Sequence, residues 1–428
     1  MDPVAPVASR WSLPVRIGFR FSFAYLVLLG PGMLSLLPYI GEWVSETWSW
    51  PWERLARWVG DACFGVDATS RPTGSGDTWA AYVHEVCSLV LAAIATAVWS
   101  VIDRRRLAYP RLFDALRSLV RLVLGMTMLS YGLAKVSWTQ FVFPDGETLM
   151  RPYGESTPMG ILWNFMGYSF GYCLFTGLVE CAGGLLLWWR RTTMLGALLV
   201  AAAMANVFVL NLCYDVPVKL LSLQLLLMAV WLLLPELRRL VDFFILHRPV
   251  APRPLRAELG RRWLERARRP VKLVVLGWIS YRLISDQIDI YNQYGGGAPR
   301  SPLQEIYQVE RHAIDGVARP PLATDGTRWK RLTLDAFGGA SVTYMDDRRE
   351  AYAWAVDEEA GTITLTSFQD PPTPATVLRY TRPDPDHLEL AADLGGQRHT
   401  WNVRVVPRSS FLLVSRGFHW HQEYPFNQ

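Results

Sequence analysis

Six apolar runs, at residues 17–39, 80–102, 114–135, 159–189, 193–212 and 217–236, constrain this chain more than any other feature. Each approaches or exceeds the length of about 20 apolar residues that a helix needs to cross the hydrocarbon core of a bilayer. A seventh stretch, 271–290, begins VKLVVLGWISYRLI and is interrupted by Arg282, Asp286 and Asp289. With it the expected fold class is an α-helical polytopic membrane bundle of about seven spans. Hydrophobic residues make up 51% of the 428 positions, which is high for a wholly soluble chain. The first run is too long for a secretory signal core and lacks a small-residue cleavage site, so it reads as a retained anchor.

Arginine placement sets the expected orientation. The triplet at 104–106, Arg190 with Arg191, the run from Arg238 through Arg269, and Arg10 with Arg16 all fall on one side if the spans alternate. Basic loops stay in the cytoplasm, which puts the N-terminus there. Seven spans would deliver the last ~130 residues to the periplasm, whereas six would leave them in the cytoplasm. Only four of the 43 basic residues are lysine, a bias of GC-rich genomes that suggests a bacterium and its inner membrane. The net charge of +5 lies between apolar runs and not on one face, which argues against a nucleic-acid partner and for the lipid bilayer. The Pro- and Arg-rich segment 248–270 reads as a basic linker that touches anionic headgroups.

Four segments follow. Residues 1–112 hold two leading spans and a Trp-rich outer loop; 113–240 form a four-helix membrane core; 241–300 hold the basic linker, the seventh span and a Gly/Pro hinge; 301–428 form a β-domain. In the outer loop Trp48, Trp50, Trp52 and Trp58 accompany Pro51, which suits a helix start. This segment is expected in the interface plane, as an aromatic anchor or as a lid over a lipid-facing cavity. In the last segment short alternating runs, such as YQVERHAI, WKRLTL, TITLTSF and HTWNVRVV, are separated by turn signals. About eight antiparallel strands in a meander predict a barrel or sandwich.

Ionisable residues inside spans are costly and ask for a partner or a role. Glu180 and Arg121 each lie roughly 10–13 Å from the basic end of neighbouring spans, which predicts an ion pair between them. Gly125, Met128, Gly132 and Lys135 share the face of Arg121, and Lys135 is expected to snorkel outward. Asp215 is expected to cap the sixth span, the alternative being that Asn206, Asn211, Asp215 and Lys219, with His84 and Glu85, converge on one polar pocket. Arg282 has two candidate partners, Asp286 and Glu180. The five cysteines, Cys63, Cys87, Cys173, Cys181 and Cys213, contain no CxxC pair, which argues against a dithiol centre or a zinc ribbon. Cys63 and Cys87 remain disulfide candidates, and the rest read as small apolar fillers.

The chain ends in RGFHWHQEYPFNQ. If the segment from Phe411 to Trp420 continues as a strand, His419, His421 and Glu423 line one face. That set could hold a metal, or the aromatic residues around it could close or dock the barrel. His312, His387 and His399 are scattered along the sequence and complete no obvious site.

The blocks LVRLVLGMTMLSYGLAKVSWTQF and GLVECAGGLLLWWRRTTMLGALLV resemble the DoxX family of small four-helix membrane proteins. That family's pattern of Arg, Gly and Gly-x-x-Lys, then Glu followed by a Gly pair, matches Arg121, Gly125, Gly132, Lys135, Glu180, Gly183 and Gly184. Some members of that family look like subunits of membrane oxidoreductases, such as the thiosulfate:quinone type, and many have no assigned activity; on the first pattern the resemblance implies quinone as a redox carrier and a protein partner subunit. Two leading spans, a seventh span and a β-domain depart from the short family pattern. A multi-span bundle followed by a β-domain is also similar in architecture, though in no motif, to the membrane domain of vitamin K-dependent carboxylases.

Two functions are therefore weighed. One is a quinone-linked redox component, motivated by the family likeness and by Arg121 and Glu180 within the spans; the sequence offers no haem, iron–sulfur or flavin motif, so its electron carrier would be a diffusible quinone or a partner subunit. The other is a non-catalytic, membrane-anchored binding or assembly protein whose β-domain displays a surface to a small periplasmic ligand or a protein partner, which an open mouth lined by Trp329, Tyr344, Trp354 and Trp401 would support.

Overall fold

Long apolar runs become helices, and in the computed structural model the described residues form twelve α-helices and a nine-stranded sheet. The structure describes residues 10–34, 40–250, 262–368 and 374–427. The helices are α1 (Leu13–Leu34), α2 (Ile40–Val59), α3 (Trp79–Ile102), α4 (Pro110–Val136), α5 (Gly146–Met150), α6 (Pro158–Tyr168), α7 (Phe170–Trp188), α8 (Thr193–Cys213), α9 (Lys219–Leu233), α10 (Leu237–Phe244), α11 (Arg262–Tyr294) and α12 (Leu412–Ser415). The chain divides into a helical unit, residues 1–141 with 169–290, and a β-unit, residues 142–168 with 291–428.

Among the described residues of the helical unit four helical segments are long and apolar enough to cross a membrane: Trp79–Ile102, Phe170–Trp188, Thr193–Cys213 and Lys219–Phe244. The other expected spans coincide with α1, α4 and α11. Part of the expected first span, 35–39, and the middle of the basic linker, 251–261, lie outside the described residues, and the end of the linker from Arg262 is already helical in α11. The run expected as one span over 159–189 is two helices. Ser169 breaks it by adopting an extended conformation, and its Oγ accepts a hydrogen bond from Tyr172 N (3.2 Å) to cap α7. Pro51, expected at a helix start, sits inside α2.

Packing in this unit rests on close glycine contacts. A methyl group at Gly125 would lie 3.0 Å from Gly184 O, and one at Gly132 would lie 2.8 Å from Gly177 O. The two contacts share one antiparallel register and are seven residues apart, so α4 and α7 meet backbone to backbone along two turns. Across α7, Gly183 receives Val200 of α8. At the other side Phe19 and Phe23 of α1 pack with Trp11, Trp99, Tyr109 and Phe113 in an aromatic cluster.

The β-unit contains β1 (Ile306–Ile314), β2 (Val317–Arg319), β3 (Trp329–Leu334), β4 (Gly339–Tyr344), β5 (Arg349–Asp357), β6 (Thr362–Ser367), β7 (Thr376–Asp384), β8 (His387–Leu394) and β9 (Gln397–Val405). Antiparallel neighbours run β1-β3-β4-β5-β6-β7-β8-β9, and β9 returns to pair with β1, closing an eight-stranded barrel. The short β2 extends the far half of β1 through a turn at Asp315 and Gly316, both at positive φ, as a two-residue hairpin of this twist requires. Inward positions fill the interior: Trp329, Leu332, Val342, Trp354, Ile363, Leu365, Leu378, Leu390, Trp401 and Val403 form one core.

The terminal segment departs from expectation. Phe411 to Trp420 is no strand: α12 is followed by irregular chain, with Gly417 in the left-handed region. The closure of β9 on β1 explains this, because the edge on which a further strand would pair is already occupied.

Candidate functional site

The glycine register of α4 and α7 decides which charges meet. Gly125 faces Gly184 and Gly132 faces Gly177, so Glu180 stands opposite Leu129 and Arg121 opposite Trp188. Arg121 is thus displaced from Glu180 by eight residues, roughly 12 Å along the axis. The expected Arg121–Glu180 pair does not form. Side chains on a helix lean toward its N-terminus, which brings Lys135 and Glu180 toward each other between antiparallel helices. Lys135 Nζ donates to Glu180 Oε2 at 2.7 Å, and neither residue snorkels: they are 6% and 3% exposed. The ammonium also lies 5.7 Å from the Tyr131 ring centre and 5.9 Å from that of Phe141. Cys173 donates to Lys135 O, and Cys181 Sγ approaches Gly132. The result is a buried ion pair walled by aromatic and thiol side chains and by backbone at the glycine seam.

Arg121 does other work. Its Nε donates to Leu187 O (2.7 Å), and Lys272 Nζ donates to Trp188 O (2.5 Å), so two cations serve the last carbonyls of α7. Around them Arg190 grips Asp114 through Nη1 (2.5 Å) and Nη2 (3.0 Å), and Arg268 donates to the same carboxylate (2.9 Å). Arg117 and Arg239 pair with the buried Glu236.

The expected polar pocket separates into two arrangements. Asp77 accepts from Lys219 N (2.9 Å) and Leu220 N (3.0 Å), so it, and not Asp215, caps α9. Asp215 has positive φ, is exposed, and pairs with Lys219 Nζ at 2.8 Å. Asn211 donates to Ser222 Oγ (3.1 Å) and Asn206 is exposed on α8. Glu85 instead accepts from the Tyr25 hydroxyl and from Gln224 Nε2 (2.8 Å), which ties α1, α3 and α9 together. His84 stacks edge-on with Trp52. Arg282 pairs with Asp286 at 3.0 Å, one turn away on α11. Cys63 and Cys87 are free thiols.

At the C-terminus His419 contacts Arg416 Nη1 through Nδ1 (2.5 Å), and His421 Nε2 lies 3.6 Å from Glu423 Oε1. No group of three or more His, Cys, Asp or Glu side chains that could hold a metal occurs among the described residues. Trp420 is 94% exposed, so it plugs no barrel end.

Several functional-looking groups escaped the sequence reading. His312 and His399, far apart in the chain, meet at 3.1 Å (Nε2 to Nδ1) because β1 and β9 close the barrel. The ring of His312 stacks on Trp401, and burial, with His399 and Arg328 nearby, pushes its pKa down to about 4. Asp335, buried at the end of β3, accepts from Gly146 N (2.7 Å) and Glu147 N (3.4 Å) at the start of α5. Burial and the neighbouring Asp145 push its pKa up to about 6. Arg20, buried in α1, donates to Tyr109 OH, Ser100 Oγ and Asp103 O. The alternating placement of His312 and Trp401 on inward strand positions was the one available signal for the first pair.

Four bilayer-length apolar helices, a buried ion pair between two of the helices in their bundle, and a filled barrel define a helical membrane protein with a β-barrel domain. A protein of Bacillus subtilis strain 168, described as "Uncharacterized protein YwoB", is 36% identical to this chain over 126 residues, which are 29% of this chain and 79% of that protein. The chain belongs to the same family as that protein. No family profile and no solved structure matches it.

Proposed function

We propose that this chain is a DoxX-like component of a quinone-linked oxidoreductase system in a bacterial inner membrane, and that Lys135 and Glu180 form its polar site. The observation that carries the reading is the buried Lys135–Glu180 pair with Tyr131 beside it. A desolvated ion pair is a poor source of stability, so its presence in an apolar bundle asks for a role. An ammonium and a carboxylate in hydrogen-bond contact can exchange a proton with a quinone oxygen and orient it, while Tyr131 offers a hydroxyl and a ring face. The DoxX-like placement of these residues supports the same reading. The N-terminus and basic loops then face the cytoplasm, α1, α4 and α11 complete seven spans, and the β-domain is periplasmic.

The alternative, an anchored binding or assembly protein, draws less support in its ligand-binding form, because Trp329, Trp354 and Trp401 fill the barrel where a ligand would sit. In its protein-partner form it rests on exposed aromatics such as Phe418, Trp420 and Tyr424.

The test is extraction of quinone from the gently solubilised protein, with Glu180→Gln and Lys135→Met variants in parallel. Bound quinone in the wild type that is lost in both folded variants supports the redox reading. Wild-type protein free of quinone sinks it and leaves the assembly reading.

A further inference from the structure

We propose that the basic end of the α4, α7 and α11 cluster is a binding site for a phosphate-bearing anion, with Arg121 at its centre. Arg121 is 6% exposed, and its Nε is held by Leu187 O. Among the described residues its two terminal amino groups have no protein hydrogen bond and the guanidinium has no carboxylate within ion-pair distance. A guanidinium presents a planar fork that matches phosphate oxygens. Left buried without an anion, such a charge is strongly unfavourable, and the neighbours make matters worse.

Those neighbours are also cations. Arg117, Arg190 and Arg268 surround Arg121, and Lys272 stands on the adjoining carbonyl of α7. Among the described residues the carboxylates nearby are Asp114, held by both Arg190 and Arg268, and Glu236, held by Arg117 and Arg239. Among the described residues Arg121 and Lys272 therefore stand beside Arg117, Arg190 and Arg268 with no carboxylate within ion-pair distance of either. Arg268 adds a buried Nη1 that has no hydrogen-bond partner. Lys272 lies 4.5 Å over the ring of Trp189, an exposed indole of the kind that sits at headgroup level. A phosphate monoester or diester would neutralise Arg121 and Lys272, occupy the open fork of Arg121 and complete Arg268. Basic pockets between membrane helices take anionic lipid headgroups in this way, and a free phosphate has the same chemistry.

This site is distinct from Lys135 and Glu180 and does not depend on the quinone reading. The experiment uses the full-length protein, stripped of lipid in neutral detergent, and measures binding and melting temperature with three additions: phosphatidylglycerol, inorganic phosphate, and phosphatidylcholine as the uncharged control. Arg121→Gln is the central variant. Because it could unfold, a surface-side double variant, Arg268→Gln with Lys272→Gln, is measured beside it. Phosphatidylglycerol binding that raises the melting temperature, and that weakens about tenfold or more in either folded variant, is expected for a lipid headgroup site. The same result with inorganic phosphate identifies a free anion as the occupant. Equal effects of all three additions, or double-variant protein that binds like the wild type, overturn the proposal.

Discussion

Lys135 and Glu180 meet at 2.7 Å across a helix pair held apart by nothing more than glycine hydrogens. The pair and the glycines are one device: the seam fixes the axial register, and the register selects Lys135 over Arg121 as the partner of Glu180. Changing either part should therefore be felt in the other.

Gly132→Ala places a methyl group 2.5 Å from Cys181 Sγ and 2.8 Å from Gly177 O, and backbone cannot give way. We expect a loss of about 1–3 kcal/mol, of the size seen for overpacking, read as a lower melting temperature in detergent. Gly18→Ala, where nothing lies within 4 Å, is the control and should leave the melting temperature near the wild-type value.

Removing one charge of the buried pair leaves the other stranded. Glu180→Leu and Lys135→Met are each expected to cost about 3–5 kcal/mol, whereas the double variant should recover most of that loss. Denaturant or thermal unfolding of the four proteins measures the coupling. Additive losses would show that the two side chains are energetically independent.

Asp77 reaches the N-terminus of α9 from the loop before α3. Asp77→Ala should lower stability by about 1 kcal/mol, the usual worth of a helix cap. Asp215→Ala, which removes only an exposed pair, should change it by less than about 0.5 kcal/mol. Reversed sensitivities would restore Asp215 as the cap.

Two groups in the β-unit give opposite pH dependence. The folded pKa of Asp335 is raised to about 6, so the stability it contributes is fully present below about pH 4, the unfolded value, and is lost as pH rises through 6. The folded pKa of His312 is lowered to about 4, so its contribution is fully present above about pH 6.5 and is lost as pH falls through 4. Between these limits the two offset each other. Asp335→Asn should steepen the loss of barrel stability on acidification from pH 6.5 to 4, and His312→Phe should reverse its sign. Tryptophan fluorescence of Trp329, Trp354 and Trp401 during unfolding provides the readout.

Eight of the nine strands were legible or nearly so from alternation alone. The turn signals between them, such as Asp315-Gly316 and Gly395-Gly396, carry the positive φ that hairpins need. The ninth expected strand failed because sequence alternation cannot tell that a barrel has already closed. The small β2 strand has too few residues to show a period. In the helical unit the apolar runs marked the helices well, but they hid the break at Ser169, where one capping hydroxyl outweighs continuous hydrophobicity.

The sequence by itself determined the class of each element: apolar length made the helices, period-two alternation made the barrel strands, and clustered arginines marked one end of the bundle. Those are local properties, read within a few turns or one strand. Which charges pair, which carboxylate caps α9, that His312 meets His399, and that Arg121 reaches Leu187 O and no carboxylate among the described residues were decided only by the tertiary structure. The physical reason is that each depends on axial register or ring closure between segments distant in the chain. Register here is set by close backbone approach at Gly125, Gly132, Gly177 and Gly184, where an added methyl group would meet a facing carbonyl oxygen at 2.7–3.0 Å, a precision that residue spacing along a single chain does not contain.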